Sequence, residues 1–135
     1  MPNTRILVVD DESIVCESCK RILEEEGYEV EVALSGQEAF EKIRTGLFDV
    51  VITDLKMPTV DGMDVLRFLR KEYPDVVVIM ITGYSTVETA VEAMKLGAFD
   101  YIPKPFTPDE VSVVVKKALE KRVLQLENLY LRQEL

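Results

Sequence analysis

Three aspartates, a threonine and a lysine are the residues of this chain whose types and positions could do chemistry. Asp10 and Asp11 follow the run Arg5-Ile6-Leu7-Val8-Val9. Asp54 closes Phe48-Asp49-Val50-Val51-Ile52-Thr53, Thr82 follows Val76 to Ile81, and Lys104 follows the short stretch Phe99 to Ile102 and Pro103. The apolar runs at Ile6, Val50 and Val76 are short, continuous and β-branched, as in strands buried on both faces of a parallel sheet. Ligands of open α/β sheets gather outside the carboxyl ends of the strands, so all five residues converge on one edge. Carboxylates crowded there repel one another and raise each other's pKa. Such a cluster favours a hard divalent cation. Mg²⁺ is the expected ion, keeping several waters and leaving room for a phosphoryl group. A lysine and a hydroxyl beside it supply the point charge and hydrogen bond that a phosphoryl oxygen needs.

Each residue also has a plainer role. Asp54 suits a turn, Asp11 or Thr82 a helix cap, and Lys104 a solvated surface. Singly those roles are the ordinary ones; their coincidence at one edge favours a site.

The elements that must position these groups alternate. After the first strand a helical pattern opens at Asp11-Glu12-Ser13 and runs to Glu26, where Gly27 ends it as a left-handed cap. Glu29-Val-Glu-Val-Ala33 alternates polar with apolar and reads as a half-exposed edge strand. Ser35-Gly-Gln-Glu38 and Ser85-Thr-Val-Glu88 are capping-box patterns, and Thr107-Pro-Asp-Glu110 is a third, with proline at the first helical position. Asp61-Gly62 opens a helix carrying Val65, Leu66 and Leu69; Val87, Ala90, Val91 and Met94 form the apolar stripe of the next. Five strands alternating with five helices predict an α/β fold, a five-stranded parallel sheet with helices on both faces. The flavodoxin-like order 2-1-3-4-5 puts the three apolar strands inside and sets strands one and three side by side at the switch point.

Composition narrows the function. With 135 residues, 47% hydrophobic and 30% charged, the chain has the profile of one soluble globular domain. A net charge of −9 leaves no basic face for nucleic acid or an anionic membrane. No apolar run is long enough to span a bilayer, and the first residues lack a signal-peptide layout, so the expected location is cytoplasmic. The absence of histidine removes Ser-His-Asp and Cys-His catalysis, His-ligated zinc and phosphohistidine carriage. Cys16 and Cys19 form a C-x-x-C, but a structural zinc needs four ligands. The pair also lies inside a helix, with Cys19 on the apolar stripe of Val15, Ile22 and Leu23 and Cys16 at its edge. Buried, inert thiols are expected.

The last helix has no breaker from Pro108 to Leu135. Leu119, Val123, Leu126 and Tyr130 keep a 4-3-4 spacing, and Leu124, Leu131 and Leu135 mark a second seam. Its far half overruns a sheet of this size, so it is expected to dimerise through those leucines. The division expected is 1–121 for the domain and 122–135 for a helical extension, in a chain that stops mid-pattern as if cut from something longer.

Val8-Val9-Asp10-Asp11-Glu12, Thr53-Asp54-Leu55-Lys56-Met57-Pro58-x-x-Asp61-Gly62, Ile81-Thr82-Gly83 and Tyr101-Ile102-Pro103-Lys104-Pro105-Phe106 resemble the receiver (CheY-like) domain of bacterial two-component response regulators. The resemblance covers residues 5 to about 120. It implies that Asp54 is the phosphoacceptor, taking its phosphoryl group from a sensor histidine kinase or a small acyl phosphate. By the same resemblance Asp11, Asp54 and the backbone carbonyl of Lys56 would hold Mg²⁺, with Asp10 helping through water. Lys104 would pair with the phosphoryl group, across a cis bond to Pro105. Thr82 would move toward the phosphoryl oxygen and Tyr101 would rotate inward with it, rearranging the face of the fourth helix, fifth strand and fifth helix. Lys56 and Tyr84 would tune the phosphoryl lifetime. The segment Ala93 to Phe106, with the leucine-bearing tail, most resembles receivers of sigma-54-dependent (NtrC/DctD-type) activators. In those the tail leads to an ATPase domain and a DNA-binding domain, both outside this chain, so a regulatory module rather than a turnover enzyme is implied. Two competing readings are an aspartate-nucleophile phosphatase and a redox module at Cys16 and Cys19. The first usually has an acid two residues after the nucleophile, where this chain has Lys56.

Overall fold

A computed structural model describes residues 3–83 and 86–134. Strands β1 (Arg5–Val9), β2 (Glu29–Ala33), β3 (Val50–Asp54), β4 (Val77–Thr82) and β5 (Asp100–Pro103) alternate with helices α1 (Ser13–Glu25), α2 (Gly36–Thr45), α3 (Gly62–Glu72), α4 (Val87–Lys95) and α5 (Pro108–Glu134). The sheet order is β2-β1-β3-β4-β5 and every pairing is parallel. This is the doubly wound arrangement that the alternation predicts.

Every residue of β3 and β4 is buried, as central strands covered on both faces require. Successive residues serve opposite layers. Val51, Val78 and Met80 pack with Leu66 and Leu69 of α3 and Ala93 of α4. Val50, Ile52, Ile79 and Ile81 pack with Cys16, Cys19 and Leu23 of α1 and Val111, Val115 and Ala118 of α5. β2 and β5 are the partly exposed edges. Cys16 is as fully buried as Cys19, so it lies within the apolar stripe of α1 rather than at its edge.

Several local expectations shift. β4 starts one residue late because the Val76 N–H is bonded to Tyr73 O (3.1 Å), closing the turn after α3. The ladder then extends through Thr82, which pairs with Pro103. Ser35 accepts from Glu38 N–H (3.1 Å), but the Glu38 carboxylate accepts from Leu34 N–H rather than from Ser35, so the box is not reciprocal. α4 is capped one residue later than the Ser85 pattern predicts, by Thr86 with Thr89, while Ser85 itself lies outside the described residues. Thr107 Oγ1 accepts from Glu110 N–H (3.2 Å) at the start of α5.

The apolar stripe of α4 faces outward. Val87, Val91 and Met94 are 79%, 45% and 46% exposed, and the buried residue is Ala93. Periodicity identified an apolar face but not which face the sheet would take; the helix seats its small residue and leaves the larger ones uncovered. On α5, Leu119 packs against the second core layer, so of the expected seam only Val123, Leu126 and Tyr130 stand exposed, with Leu124 and Leu131 beside them. Leu135 lies outside the described residues. Arg122, assigned by sequence to the extension, is tied to the core: its Nε donates to Asp49 Oδ1 (2.9 Å) and its Nη1 to Asp75 O.

Candidate functional site

The carboxyl ends of β1, β3 and β5 bring Asp10, Asp54 and Lys104 together. Lys104 Nζ lies 2.8 Å from Asp10 Oδ2, 3.3 Å from Asp54 Oδ2 and 3.4 Å from Glu12 Oε1. The side chains of Asp10 and Asp54 are 2% and 5% exposed. Carboxylate oxygens of Asp10, Asp11, Glu12 and Asp54 all lie within 4.8 Å of one another, with Asp11 and Glu12 on the solvent side. Local sequence places Glu12 only at the opening of a helix; its chemistry becomes visible when the β1–α1 turn folds it over the pair. The plainer role for Asp11 is not realised. Glu12 occupies the cap position of α1, and its side chain makes no cap hydrogen bond.

Burial raises the pKa of Asp10, reinforced by the Asp54 charge, while Lys104 and the Glu12 N–H pull it back. Burial alone would lower the Lys104 pKa, but Asp10 and Asp54 more than offset it and hold the ammonium above its ordinary range. Asp10 Oδ2 is buried and pairs with the Lys104 ammonium at 2.8 Å. Four carboxylates whose oxygens lie within 4.8 Å of one another, two of them on the solvent side, form the oxygen-donor set that a hard divalent cation takes up. The residues therefore fit Mg²⁺.

Asp54 is held rigidly. Its residue pairs with Ile81 in the β3–β4 ladder, and Lys56 N–H approaches its Oδ1 at 3.4 Å. Asp61 caps α3 in a reciprocal box with Asp64, and Gly62 N–H donates to Leu55 O (2.9 Å). This brings α3 so close that a Cβ on Gly62 would stand 2.1 Å from Asp54 O. Local sequence signals mark Gly62 as a helix start and as the end of the receiver motif, but do not show this close approach. Thr53 Oγ1 donates to Asp54 O (3.0 Å).

Thr82 is buried at the end of β4, and its carbonyl accepts from Lys104 N–H (2.9 Å), joining the two strand ends. The Lys104–Pro105 peptide bond is cis. Tyr101 lies farther out, its hydroxyl 3.0 Å from Thr89 Oγ1 on α4. Lys56 is exposed beside the cluster, and Tyr84 lies outside the described residues. Both thiols are buried beneath the acidic edge, and Cys16 Sγ donates to Asp10 O (3.3 Å). Burial, then the Asp10 charge, pushes Cys16 up to about 11, and burial, then Cys16, pushes Cys19 up to about 12.

Residues 6–116 match the family model described as the response regulator receiver domain. The chain belongs to that family. Among curated relatives of this receiver domain is the transcriptional regulatory protein ZraR of Escherichia coli, 42% identical over 117 residues, covering 87% of this chain and 26% of ZraR. The receiver domain thus spans about a quarter of that relative's length. Crystalline NtrX from Brucella abortus is 34% identical with a TM-score of 0.92, over 99% of this chain and 31% of that one. The solution structure of the beryllofluoride-activated NtrC4 receiver domain dimer is 42% identical with a TM-score of 0.83, over 87% and 98%. The receiver domain is therefore that of a two-component response regulator whose relatives are sigma-54 activators. Among the described residues no helix is long and apolar enough to cross a membrane.

Proposed function

We propose that this chain is the phosphorylation switch of a longer transcriptional activator, with Asp54 as the phosphoacceptor. The observation that carries the reading is Asp54 itself: a buried carboxylate on a rigid strand end, 3.3 Å from an ammonium and inside a ring of carboxylates. In the step, an Asp54 oxygen attacks the phosphorus of a phosphohistidine on a sensor histidine kinase. The P–N bond breaks, the imidazole leaves with a proton, and an aspartyl phosphate remains. Asp11, Asp54 and the Lys56 carbonyl would hold Mg²⁺, with Asp10 helping through water, and when bound it would supply charge neutralisation for the phosphoryl oxygens. Lys104 is oriented by Asp10 and meets the new phosphoryl group, and Thr82 moves to hydrogen-bond it. Lys56 and Tyr84 tune its lifetime.

Tyr101 following Thr82 would alter the face built by α4, β5 and α5, where Val87, Val91 and Met94 already stand exposed. Dimerisation through Val123, Leu126 and Tyr130, flanked by Leu119, would carry the change into the extension that follows residue 121. Output ATPase and DNA-binding domains lie outside this chain, and a cytoplasmic location belongs to the same reading. A phosphatase is disfavoured by Lys56 two residues after Asp54, and a redox role by the buried thiols.

The test is incubation with Mg²⁺ and acetyl phosphate followed by intact mass. One added phosphate is expected, lost in Asp54→Asn and in EDTA. An unchanged mass for the folded wild type overturns the reading.

A further inference from the structure

Cys16 holds the β1–α1 turn at both of its ends. Its backbone N–H donates to Glu12 O (3.3 Å), and its side chain reaches back to Asp10 O, with Sγ 3.3 Å away. Asp11 lies between the two carbonyls so held. It is the solvent-side carboxylate of the acidic edge that the proposed function assigns to Mg²⁺.

The thiol has one proton and three carbonyls within reach. Asp10 O is the nearest at 3.3 Å, against 3.8 Å to Ala33 O and 4.0 Å to Val8 O. Ala33 O already accepts from Asp10 N–H (3.1 Å), and Val8 is paired with Val32 and Ile52 inside the sheet. Among the described residues no backbone N–H reaches Asp10 O. The thiol proton therefore belongs to that carbonyl. Cys16 is fully buried, and apolar surroundings disfavour the thiolate, so the group is a donor at neutral pH. An S–H is a weak donor, but a buried carbonyl left with none bears its whole desolvation cost.

Asp10 is fixed at four points. Its N–H is on Ala33 O, its carbonyl on the thiol, its Oδ1 accepts from Glu12 N–H (2.9 Å), and its Oδ2 meets Lys104 Nζ (2.8 Å). The thiol contact is the one that comes from the helix beneath. Cys19 offers an internal comparison. It is as deeply buried on the same helix and in the same core layer, yet among the described residues its thiol makes no hydrogen bond to the turn.

We infer that Cys16 is a positioning residue for the metal: its bonds to Asp10 O and Glu12 O set the turn from which Asp10 and Asp11 present their carboxylates. The inference rests on the reading of the acidic edge as a Mg²⁺ and phosphoacceptor site and deepens it. It gives one member of the C-x-x-C pair a role that needs neither redox chemistry nor a soft metal. Groups behind the ligands orient them and tune metal affinity, and one hydrogen bond changes an equilibrium about two- to tenfold.

The experiment measures Mg²⁺ affinity by isothermal calorimetry on the unphosphorylated protein, in wild type, Cys16→Val, Cys16→Ser and Cys19→Ala, with the fold checked by circular dichroism. Cys16→Val fills the site without a donor and should weaken Mg²⁺ binding about two- to tenfold. Cys16→Ser restores a donor and should bind within about twofold of wild type. Cys19→Ala should lose stability and keep wild-type affinity. It also leaves Cys16 as the sole thiol, whose infrared S–H stretch should lie below that of an unbonded thiol in apolar solvent and shift when Mg²⁺ is added. Wild-type affinity in folded Cys16→Val, an equal loss of affinity in Cys19→Ala, or an S–H stretch at the unbonded frequency overturns the inference. The infrared arm decides it even where Cys16→Val does not fold. Failure of the wild type to take phosphate from acetyl phosphate overturns the Asp54 reading instead and leaves the affinity comparison standing.

Discussion

The Lys104 ammonium sits closer to Asp10 Oδ2, at 2.8 Å, than to Asp54 Oδ2, at 3.3 Å. The lysine expected to meet a phosphoryl group is thus held first by a carboxylate that is not the acceptor. It serves as counterion to two buried carboxylates. Removing one partner from a buried ionic group leaves uncompensated charge. Lys104→Met should therefore cost on the order of 3 kcal/mol of stability in metal-free buffer. Excess Mg²⁺ should restore part of it, because a cation that binds the folded state stabilises by mass action. Urea denaturation with and without Mg²⁺ measures both. Wild-type stability for Lys104→Met in EDTA would show that the ammonium is not the counterion.

Gly62 stands where α3 meets the end of β3. A methyl there collides with backbone, Asp54 O at 2.1 Å and Leu55 Cα at 2.9 Å, and backbone yields only by moving the strand end. Gly62→Ala should lose about 1–3 kcal/mol. The displaced nucleophile should also slow phosphate incorporation, by up to about a hundredfold. If the substitution lowers stability but leaves the incorporation rate unchanged, Asp54 does not depend on this contact.

Cys16 and Cys19 should resist iodoacetamide at pH 8 in the native protein and react quickly in guanidinium. Their raised pKa values also have a consequence for stability. A thiol whose pKa rises on folding contributes stability that is complete below its ordinary value of 9.0 and is lost as pH climbs through the folded value. Chemical denaturation should therefore show stability falling between pH 9 and about 11 to 12. Cys16→Ala with Cys19→Ala should flatten that part of the profile. Fast native alkylation of either thiol would contradict the burial on which this rests.

Arg122 and the exposed seam make separable contributions to the extension. Arg122→Ala removes the clasp on Asp49 and Asp75. This should cost about 1 kcal/mol and speed amide exchange along α5 beyond it. Truncation after residue 122 keeps the clasp and removes Leu126 and Tyr130. It should abolish self-association in sedimentation, as should Leu126→Glu. A wild type that sediments as a monomer at high micromolar concentration would rule out the seam as a dimer contact.

The sequence alone determined the alternation of elements, the strand order and the carboxyl-edge residues Asp10, Asp11, Asp54, Thr82 and Lys104. Those follow from local signals: β-branched runs, breakers at Gly and Pro, and polar residues where an apolar strand must end. Tertiary structure decided what depends on which surfaces meet. Glu12 joins the acidic edge only because the β1–α1 turn folds over it. Gly62 is required only because α3 approaches Asp54 O. α4 turns Val87, Val91 and Met94 outward because its periodicity names an apolar face without naming the neighbour that covers it. The contact of Thr89 with Tyr101 joins residues of a helix and an edge strand through side-chain hydroxyls. No periodicity encodes such a pairing; it exists once β5 is laid beside β4 and α4 is docked across them.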